Sequence, residues 1–208
     1  MSVPETPPPA APVGGPPPAA SNWNLPNVIT VVRILLAPLF VWMLLADAGN
    51  DGWLRWAAAV LFVIAIATDG VDGAIARRNN LVTELGKLLD PIADKVLTGG
   101  ALVGLSILAE LPWWVTIVIL VREIGITVYR FVVIRQGVIA ASRGGKLKTI
   151  VQSVAISLAL FPLWTVFGDW VFWLNGIVMT LAVVLTVVTG ADYLWQAWKG
   201  HRAKRVVA

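Results

Sequence analysis

Long apolar runs alternate along the chain with short polar segments. A helix needs about 20 mostly apolar residues to cross a bilayer. The runs predict six membrane-spanning helices, at about 22–46, 57–68, 88–109, 113–134, 149–167 and 170–195. Between them the sequence predicts a loop at 47–56, a polar hairpin at 69–86, a tight turn at 110–112 and a polar loop at 136–148. The fold class is therefore an all-α integral membrane protein.

The start of the first span has its own features. Pro26 precedes Asn27, and Trp23 suits the level of the lipid headgroups, so we expect an N-terminal interfacial segment that leads into the helix. Pro91 is expected in the first turn of the third span, where its missing N–H costs little.

The composition divides the chain into three parts. Residues 1–21 are proline-rich and predicted to be disordered, 22–198 form the membrane domain, and 199–208 are a basic tail.

Composition supports a membrane protein and excludes several chemistries. Of 208 residues, 58% are hydrophobic, and the mean hydropathy is +0.79. The chain has no cysteine, which excludes disulfides and thiolate chemistry, and its one histidine, His201, lies in the basic tail. The net charge of +4 comes from basic residues beside apolar spans. That placement suits contact with anionic membrane lipids and not with nucleic acid.

The distribution of charge also predicts the orientation. Basic residues follow the second and fourth spans and fill the tail, whereas the alternate loops contain only Arg55. By the positive-inside rule, both termini and the polar hairpin face the cytoplasm of a multi-pass cell-membrane protein.

Four aspartates stand out in this apolar chain. Asp69 and Asp72 are three residues apart, and Asp90 and Asp94 are four apart, so each pair lies on one helical face. If the two helices form a hairpin, both pairs converge at one membrane surface, where four carboxylates repel one another unless cations lie between them. Mg²⁺ and Mn²⁺ prefer oxygen ligands and commonly bridge phosphates. The spacing therefore predicts a carboxylate site for two divalent ions and phosphoryl chemistry.

Three residues between the aspartates fit this interpretation. Gly73 and Gly86 would allow a ligand close to the backbone, and Arg77 offers a planar fork to a phosphate. The alternative is that the aspartates are solvated charges at the ends of helices. That alternative does not explain the glycines and the arginine at their fixed offsets.

A second group of charged residues is basic. Arg122 and Arg130 are eight apart, about two helical turns, and therefore share a face, while Lys146 and Lys148 follow in the next predicted loop. Arginines inside an apolar span indicate function. We expect these four residues to bind the phosphate of an anionic acceptor. In the alternative interpretation, Arg122 pairs with Glu123 or with the aspartates, and the lysines only orient the protein.

The aspartate pattern resembles a known motif. Asp69, Asp72, Gly73, Ala76, Arg77, Gly86, Asp90 and Asp94 match the motif of the CDP-alcohol phosphotransferase family at every fixed position, and the resemblance extends over about 22–195. It implies a homodimer that takes CDP-diacylglycerol as donor and releases CMP. It also implies that Asp94 is the general base, besides being a possible metal ligand. The donor-binding residues that it implies are Asn27, Thr30, Arg33, Asp69, Asp72, Gly73, Arg77 and Gly86.

The acceptor is narrowed by two further segments. VREIGITVYRFVVIRQG and ASRGGKLKTIVQ resemble the members of the family that use sn-glycerol 3-phosphate, the bacterial phosphatidylglycerophosphate synthases. The same chemistry with another acceptor, as in cardiolipin synthases or phosphatidylinositol-phosphate synthases, remains open. A divalent-cation transporter is the alternative from another class. Small residues such as Gly99, Gly100 and Gly104 would permit the close helix packing of a dimer.

Overall fold

The structure is a computed structural model that describes residues 24–78, 83–133 and 143–207; side chains are described there except at 69–78, 84, 85, 87, 130–133, 143 and 200–207. Within these ranges every regular element is helical. The helices are α1 (Leu25–Asp47), α2 (Trp53–Arg78), α3 (Glu84–Ile107), α4 (Trp113–Val133), α5 (Arg143–Leu160), α6 (Trp164–Phe167) and α7 (Trp170–Val207). The predicted all-α fold is confirmed for this part of the chain. The predicted disorder of 1–21 lies outside the described residues.

Helix α1 begins where the sequence places an interfacial segment. The Asn24 side chain accepts a 3.0 Å hydrogen bond from the backbone N–H of Asn27, which caps the helix, and Pro26 occupies its first turn. From Leu25 onward the helix is continuous to Asp47. Pro26 and Asn27 therefore belong to the helix itself, and the interfacial position of this segment stays a prediction.

The predicted polar hairpin at 69–86 was also wrong in extent. Helix α2 continues to Arg78, so the backbone at Asp69 and Asp72 is helical. Helix α3 begins at Glu84, because the Thr83 hydroxyl caps it by accepting a 3.0 Å hydrogen bond from the N–H of Gly86. Pro91 consequently lies inside α3 and not in its first turn.

Later boundaries also differ. The start of α5 and the end of α7 lie outside the predicted spans because hydropathy marks apolar segments, whereas these helices continue into polar sequence. Helix α5 starts at Arg143, so Lys146 and Lys148 lie in its first turns and not in a loop. Helix α5 ends at Leu160 and is followed by the short α6, where a single span to Phe167 was expected. Helix α7 runs through the predicted basic tail to Val207.

The core lies where α1 packs against α2 and α3. Phe40, Leu44 and Phe62 are completely buried there. Glycines of α3 allow this approach: a Cβ at Gly104 would lie 2.7 Å from Leu44 Cδ2, and one at Gly100 would lie 2.8 Å from a methyl group of Val41. These glycines therefore serve packing within the chain. Helices α5 and α4 complete the bundle by packing on α3 and α7.

The outer surface is apolar over much of the bundle. Leu35, Val121 and Ile177 are each about two-thirds exposed, and exposed apolar surface on this scale marks a membrane-facing or binding surface. Helix α1 and the segment Trp170–Lys199 of α7 are long and apolar enough to cross a membrane, and Trp53–Thr68 is a shorter apolar helix. These features are those of a membrane protein.

An ion pair closes the end of the bundle where α2 begins. Arg55 is fully buried; its Nη1 donates a 2.7 Å hydrogen bond to Glu110, and its Nε donates a 2.6 Å bond to the carbonyl of Leu160. The arginine therefore ties α2 to the turn after α3 and to the end of α5. It is a buried structural group and not a charge on the surface of a loop.

Candidate active site

Helices α1 and α3 meet through a hydroxyl–carboxylate contact. Thr30, which is 1% exposed, donates from Oγ1 to Asp90 Oδ1 across 2.9 Å. Arg33 lies one turn further along α1 and is also buried. The structure thus joins one predicted donor-binding residue, Thr30, to one predicted metal ligand, Asp90.

The third predicted residue of α1 contacts the start of α3. Asn27 Nδ2 donates a 2.8 Å hydrogen bond to Thr83 Oγ1, the same hydroxyl that caps the helix. A Cβ at Gly86 would lie 2.6 Å from Asn27 Oδ1. Gly86 was expected to make room for a ligand; in the structure its missing side chain makes room for Asn27. A side chain at this position would displace Asn27 from its contact with Thr83.

Asp94, one turn beyond Asp90, belongs to a chain of charged groups. Its Oδ2 lies 2.6 Å from Lys95 Nζ, and the same ammonium lies 2.5 Å from Glu123 Oε2 on α4. Asp94 remains partly exposed, whereas Glu123 is buried. Lys95 therefore bridges a carboxylate that can reach solvent and one that cannot.

Glu123 is the centre of this network. Its Oε1 accepts a 2.8 Å hydrogen bond from Arg122 Nη1 and also contacts Lys148 Nζ, which is 2% exposed. The alternative pairing of Arg122 with Glu123 is thus confirmed as a contact. Because Lys148 is also committed to Glu123, three cations from α3, α4 and α5 share one buried carboxylate. A buried charge of this kind is stable only with such partners.

A cavity of about 580 Å³ opens beside these groups. Its size lies within the range of about 300–1,000 Å³ that is typical of small-molecule sites. Its walls bring together groups from both predicted sets, the aspartates and the basic residues. The lining includes Asp90, Asp94, Lys95, Arg122, Glu123, Thr127, Lys146 and Thr149. Lys146 is exposed and has no ion pair among the residues that the structure describes.

Other predicted site residues lie outside the described side chains. The backbones of Asp69, Asp72, Gly73 and Arg77 are in α2, and that of Arg130 is in α4. Convergence of the two aspartate pairs therefore stays a prediction. Among the described residues no group of three potential metal ligands occurs, and Asp69 and Asp72 are not in that set.

Lys95 was not among the predicted site residues, and Glu123 was predicted only as an alternative partner of Arg122. The signal for both was their place in apolar helices, where an ionisable residue requires a partner. Lys95 follows Asp94 directly, and Glu123 follows Arg122. What the sequence does not contain is the pairing across α3, α4 and α5, because it depends on how the helices pack.

Comparison with known proteins supports the family resemblance of the aspartate motif. The profile of a family described as CDP-alcohol phosphatidyltransferase matches residues 23–188. A "Probable phosphatidylglycerophosphate synthase" of Mycobacterium tuberculosis is 48% identical over 174 residues, which cover 84% of this chain and 81% of the relative. A "CDP-diacylglycerol–glycerol-3-phosphate 3-phosphatidyltransferase" of Bacillus subtilis is 40% identical, covering 85% of this chain and 96% of its own. A protein of the same name from Rickettsia felis is 36% identical, covering 82% and 93%.

Proposed function

The chain belongs to the CDP-alcohol phosphatidyltransferase family, and we propose that it transfers the phosphatidyl group of CDP-diacylglycerol to sn-glycerol 3-phosphate. The products are phosphatidylglycerophosphate and CMP, which makes the reaction a step of phospholipid biosynthesis. The names of the relatives support this acceptor over the other alcohols that the family motif would allow.

One observation carries the proposal. A single cavity has Asp90 and Asp94 on the α3 side and Arg122 and Lys146 on the α4 and α5 side. Carboxylates suit a metal-bound diphosphate, and the guanidinium and ammonium groups suit a phosphate. A donor diphosphate and an acceptor phosphate can therefore lie side by side, with the acceptor hydroxyl between them.

The diphosphate of CDP-diacylglycerol requires a cation, and the carboxylates on that side of the cavity are suitable ligands for one. Asp90 and Asp94 present carboxylate oxygens to the cavity, the ligands that Mg²⁺ and Mn²⁺ prefer. We propose that Asp69, Asp72 and Asp90 hold two such ions, and that Asp94 is an additional contact to one of them. When bound, the ions would neutralise charge on the diphosphate and its leaving oxygen. Thr30 orients Asp90 by its hydrogen bond.

The remaining donor contacts belong to α1 and α2. In the proposal, Asn27, Thr30 and Arg33 line the nucleotide site, Arg77 contacts the donor phosphates, and Gly73 lets the cytidine approach the backbone. Asn27 is supported by its link to the cap of α3, which fixes its position next to Gly86. The acyl chains remain in the bilayer.

Asp94 is proposed as the general base. It takes the proton from the acceptor hydroxyl, whose oxygen attacks the phosphorus that carries the diacylglycerol; the bond from that phosphorus to the bridging oxygen breaks, and CMP leaves with this oxygen. Asp94 suits the role because it lines the cavity and is partly exposed. Lys95 holds Asp94 from one side, which limits the directions in which the carboxylate can turn.

The acceptor phosphate is proposed to bind Arg122, Arg130, Lys146 and Lys148. Two of these residues differ in their exposure to the cavity. Lys146 lies exposed on the cavity wall, so its ammonium is directly available to a phosphate. Lys148 is buried against Glu123, so it contributes positive charge behind the wall.

The proposal includes the setting of the site. We propose six spans in the cell membrane, both termini and the cavity on the cytoplasmic side, and a homodimer. The clustering of basic residues supports this orientation. CDP-diacylglycerol then reaches the site from the bilayer, while glycerol 3-phosphate enters from water and CMP leaves to it.

The test is release of CMP by the purified full-length protein in detergent, with CDP-diacylglycerol and Mg²⁺ or Mn²⁺. We expect release that requires both the metal and glycerol 3-phosphate. A transporter would instead carry the divalent cation into proteoliposomes without any nucleotide. Flux without CMP release would overturn the proposal.

A further inference from the structure

Arg122 is held by helix α7 as well as by its neighbour Glu123. Its Nη2 donates a 3.0 Å hydrogen bond to Thr189 Oγ1, while Nη1 donates to Glu123. A Cβ at Gly190 would lie 3.2 Å from Arg122 Cγ and 3.8 Å from Nε, so the arginine passes α7 at that glycine. The guanidinium is thus held between two helices.

The Thr189 hydroxyl is oriented to accept this bond. Its oxygen lies 2.6 Å from the carbonyl of Leu185, one turn earlier in α7. A hydroxyl has one proton to donate and two lone pairs that accept. Because the proton is directed to Leu185, a lone pair faces Arg122. The contact therefore fixes the guanidinium in one direction.

From this geometry we propose that Thr189 and Gly190 are positioning residues for the acceptor phosphate, acting through Arg122. Arg122 has five N–H donors, of which the contacts to Glu123 and Thr189 use two. The arginine also lines the cavity that contains Asp90 and Asp94. The Nε donor is buried, so a guanidinium held through both Nη atoms would turn its remaining Nη donors to a phosphate there. The family profile ends at residue 188 and includes neither positioning residue.

The inference rests on the proposed function, since it assigns a role within that reaction. It predicts a specific kinetic change and not a general loss. In the proposed function the donor is bound by groups on α1, α2 and α3, so we expect the position of Arg122 to act on acceptor binding. Loss of the Thr189 hydroxyl should therefore raise the KM for glycerol 3-phosphate and leave the KM for CDP-diacylglycerol unchanged.

The experiment compares Thr189→Val with Thr189→Ser in the purified full-length protein. Valine keeps the branched shape without the hydroxyl, and we expect it to raise the acceptor KM roughly tenfold, which corresponds to the loss of about 1.4 kcal/mol of binding. Serine should restore the acceptor KM to within about twofold of wild type. Thr180→Val is the matched control, because Thr180 lies on the same helix and its hydroxyl donates to the carbonyl of Gly176 within that helix.

A double-mutant cycle then tests whether Thr189 acts through Arg122. In an Arg122→Gln background, Thr189→Val should have almost no further effect on the acceptor KM, because the group that it positions is gone. Additive effects would overturn the inference. It would also be overturned if Thr189→Val kept the wild-type KM, or lowered kcat while raising both KM values as a general structural defect would.

Failure of the proposed function can be told apart from failure of the positioning role, because an incorrect acceptor would be detected with the wild-type protein. If the wild-type protein releases CMP only with another phosphorylated alcohol, the acceptor assignment is wrong, and the same variants are measured with that alcohol: a raised KM supports the positioning role, and an unchanged one contradicts it. Turnover with an acceptor that has no phosphate, or no CMP release at all, would overturn both proposals.

Discussion

Thr30 Oγ1 on α1 donates a 2.9 Å hydrogen bond to Asp90 Oδ1 on α3. The carbonyl of Pro26 lies 3.1 Å from the same oxygen, but the charged carboxylate is the stronger acceptor. Thr30 is buried, whereas Asp90 is exposed, so the hydroxyl reaches the carboxylate at the edge of the buried surface. A residue of the first helix thus orients a proposed metal ligand of the third.

Thr30→Val should therefore weaken donor and metal use together. A hydrogen bond to a charged group is worth about 1.5–3 kcal/mol, so we expect kcat/KM for CDP-diacylglycerol to fall at least tenfold and half-saturation to require more Mg²⁺. Thr30→Ser, which keeps the hydroxyl, is the control. Steady-state rates measured at a series of Mg²⁺ concentrations check this, and an unchanged metal requirement in the valine variant would refute the orienting role.

Asp94→Asn should abolish turnover and leave donor binding largely intact. The amide keeps the shape of the side chain but does not accept the proton of the acceptor hydroxyl; loss of a general base commonly costs about 10²–10⁴ in rate. Asp169→Asn, an exposed aspartate in the connection before α7, is the control. CMP release and binding of labelled CDP-diacylglycerol are measured on the same samples. Near-normal turnover in the Asp94 variant would contradict its assignment as the general base.

Glu123→Gln should damage both stability and acceptor use. The change leaves Lys95 and Lys148 without their shared carboxylate, and breaking a buried ion pair costs about 3–5 kcal/mol. We expect a lower Tm and at least a tenfold loss of kcat/KM for glycerol 3-phosphate, since the cations at the cavity wall lose their common partner.

Glu110→Gln separates these two effects. It breaks a different ion pair, in which the buried Arg55 contacts the exposed Glu110 at the end of the bundle where α2 begins. This variant should lower the Tm and keep the wild-type acceptor KM. If both variants changed the acceptor KM equally, Glu123 would have no special relation to the cavity.

The proposed orientation is open to a labelling test, because the chain has no cysteine of its own. Asp169→Cys should react with a membrane-impermeant maleimide in intact cells. Lys199→Cys, in the predicted basic tail, should react only after the cells are permeabilised. Both positions are exposed, so burial does not explain a difference between them. Labelling in the reverse pattern would place the cavity on the other side of the membrane.

Hydropathy predicted where the helices are better than where they end. The start of α4 at Trp113 and of α7 at Trp170 agrees with the structure, because a polar turn precedes each apolar run. Helices α2 and α5 extend beyond their apolar segments because polar residues are also good helix formers. Thr83 is of a residue type that commonly caps helices, and its cap gives the observed start of α3.

For the candidate site as well, the sequence predicted local features but not the contacts between helices. Spacing alone placed Asp90 and Asp94 on one face, and both line the cavity. The contacts of Thr30 with Asp90 and of Lys95 with Glu123 join residues 60 and 28 positions apart, on different helices. Nothing local in the sequence encodes such pairs. They follow from packing, in which Gly104 sets how closely α3 approaches α1.

The central claim is metal-dependent phosphatidyl transfer to glycerol 3-phosphate, and the lipid product tests it most directly. Purified protein is given CDP-diacylglycerol and Mg²⁺ with glycerol 3-phosphate, inositol 1-phosphate or phosphatidylglycerol in separate reactions, and the lipids are identified by mass spectrometry. We predict phosphatidylglycerophosphate, in equal amount to the CMP released, from glycerol 3-phosphate alone. A lipid product formed from one of the other acceptors, with none from glycerol 3-phosphate, would contradict the account.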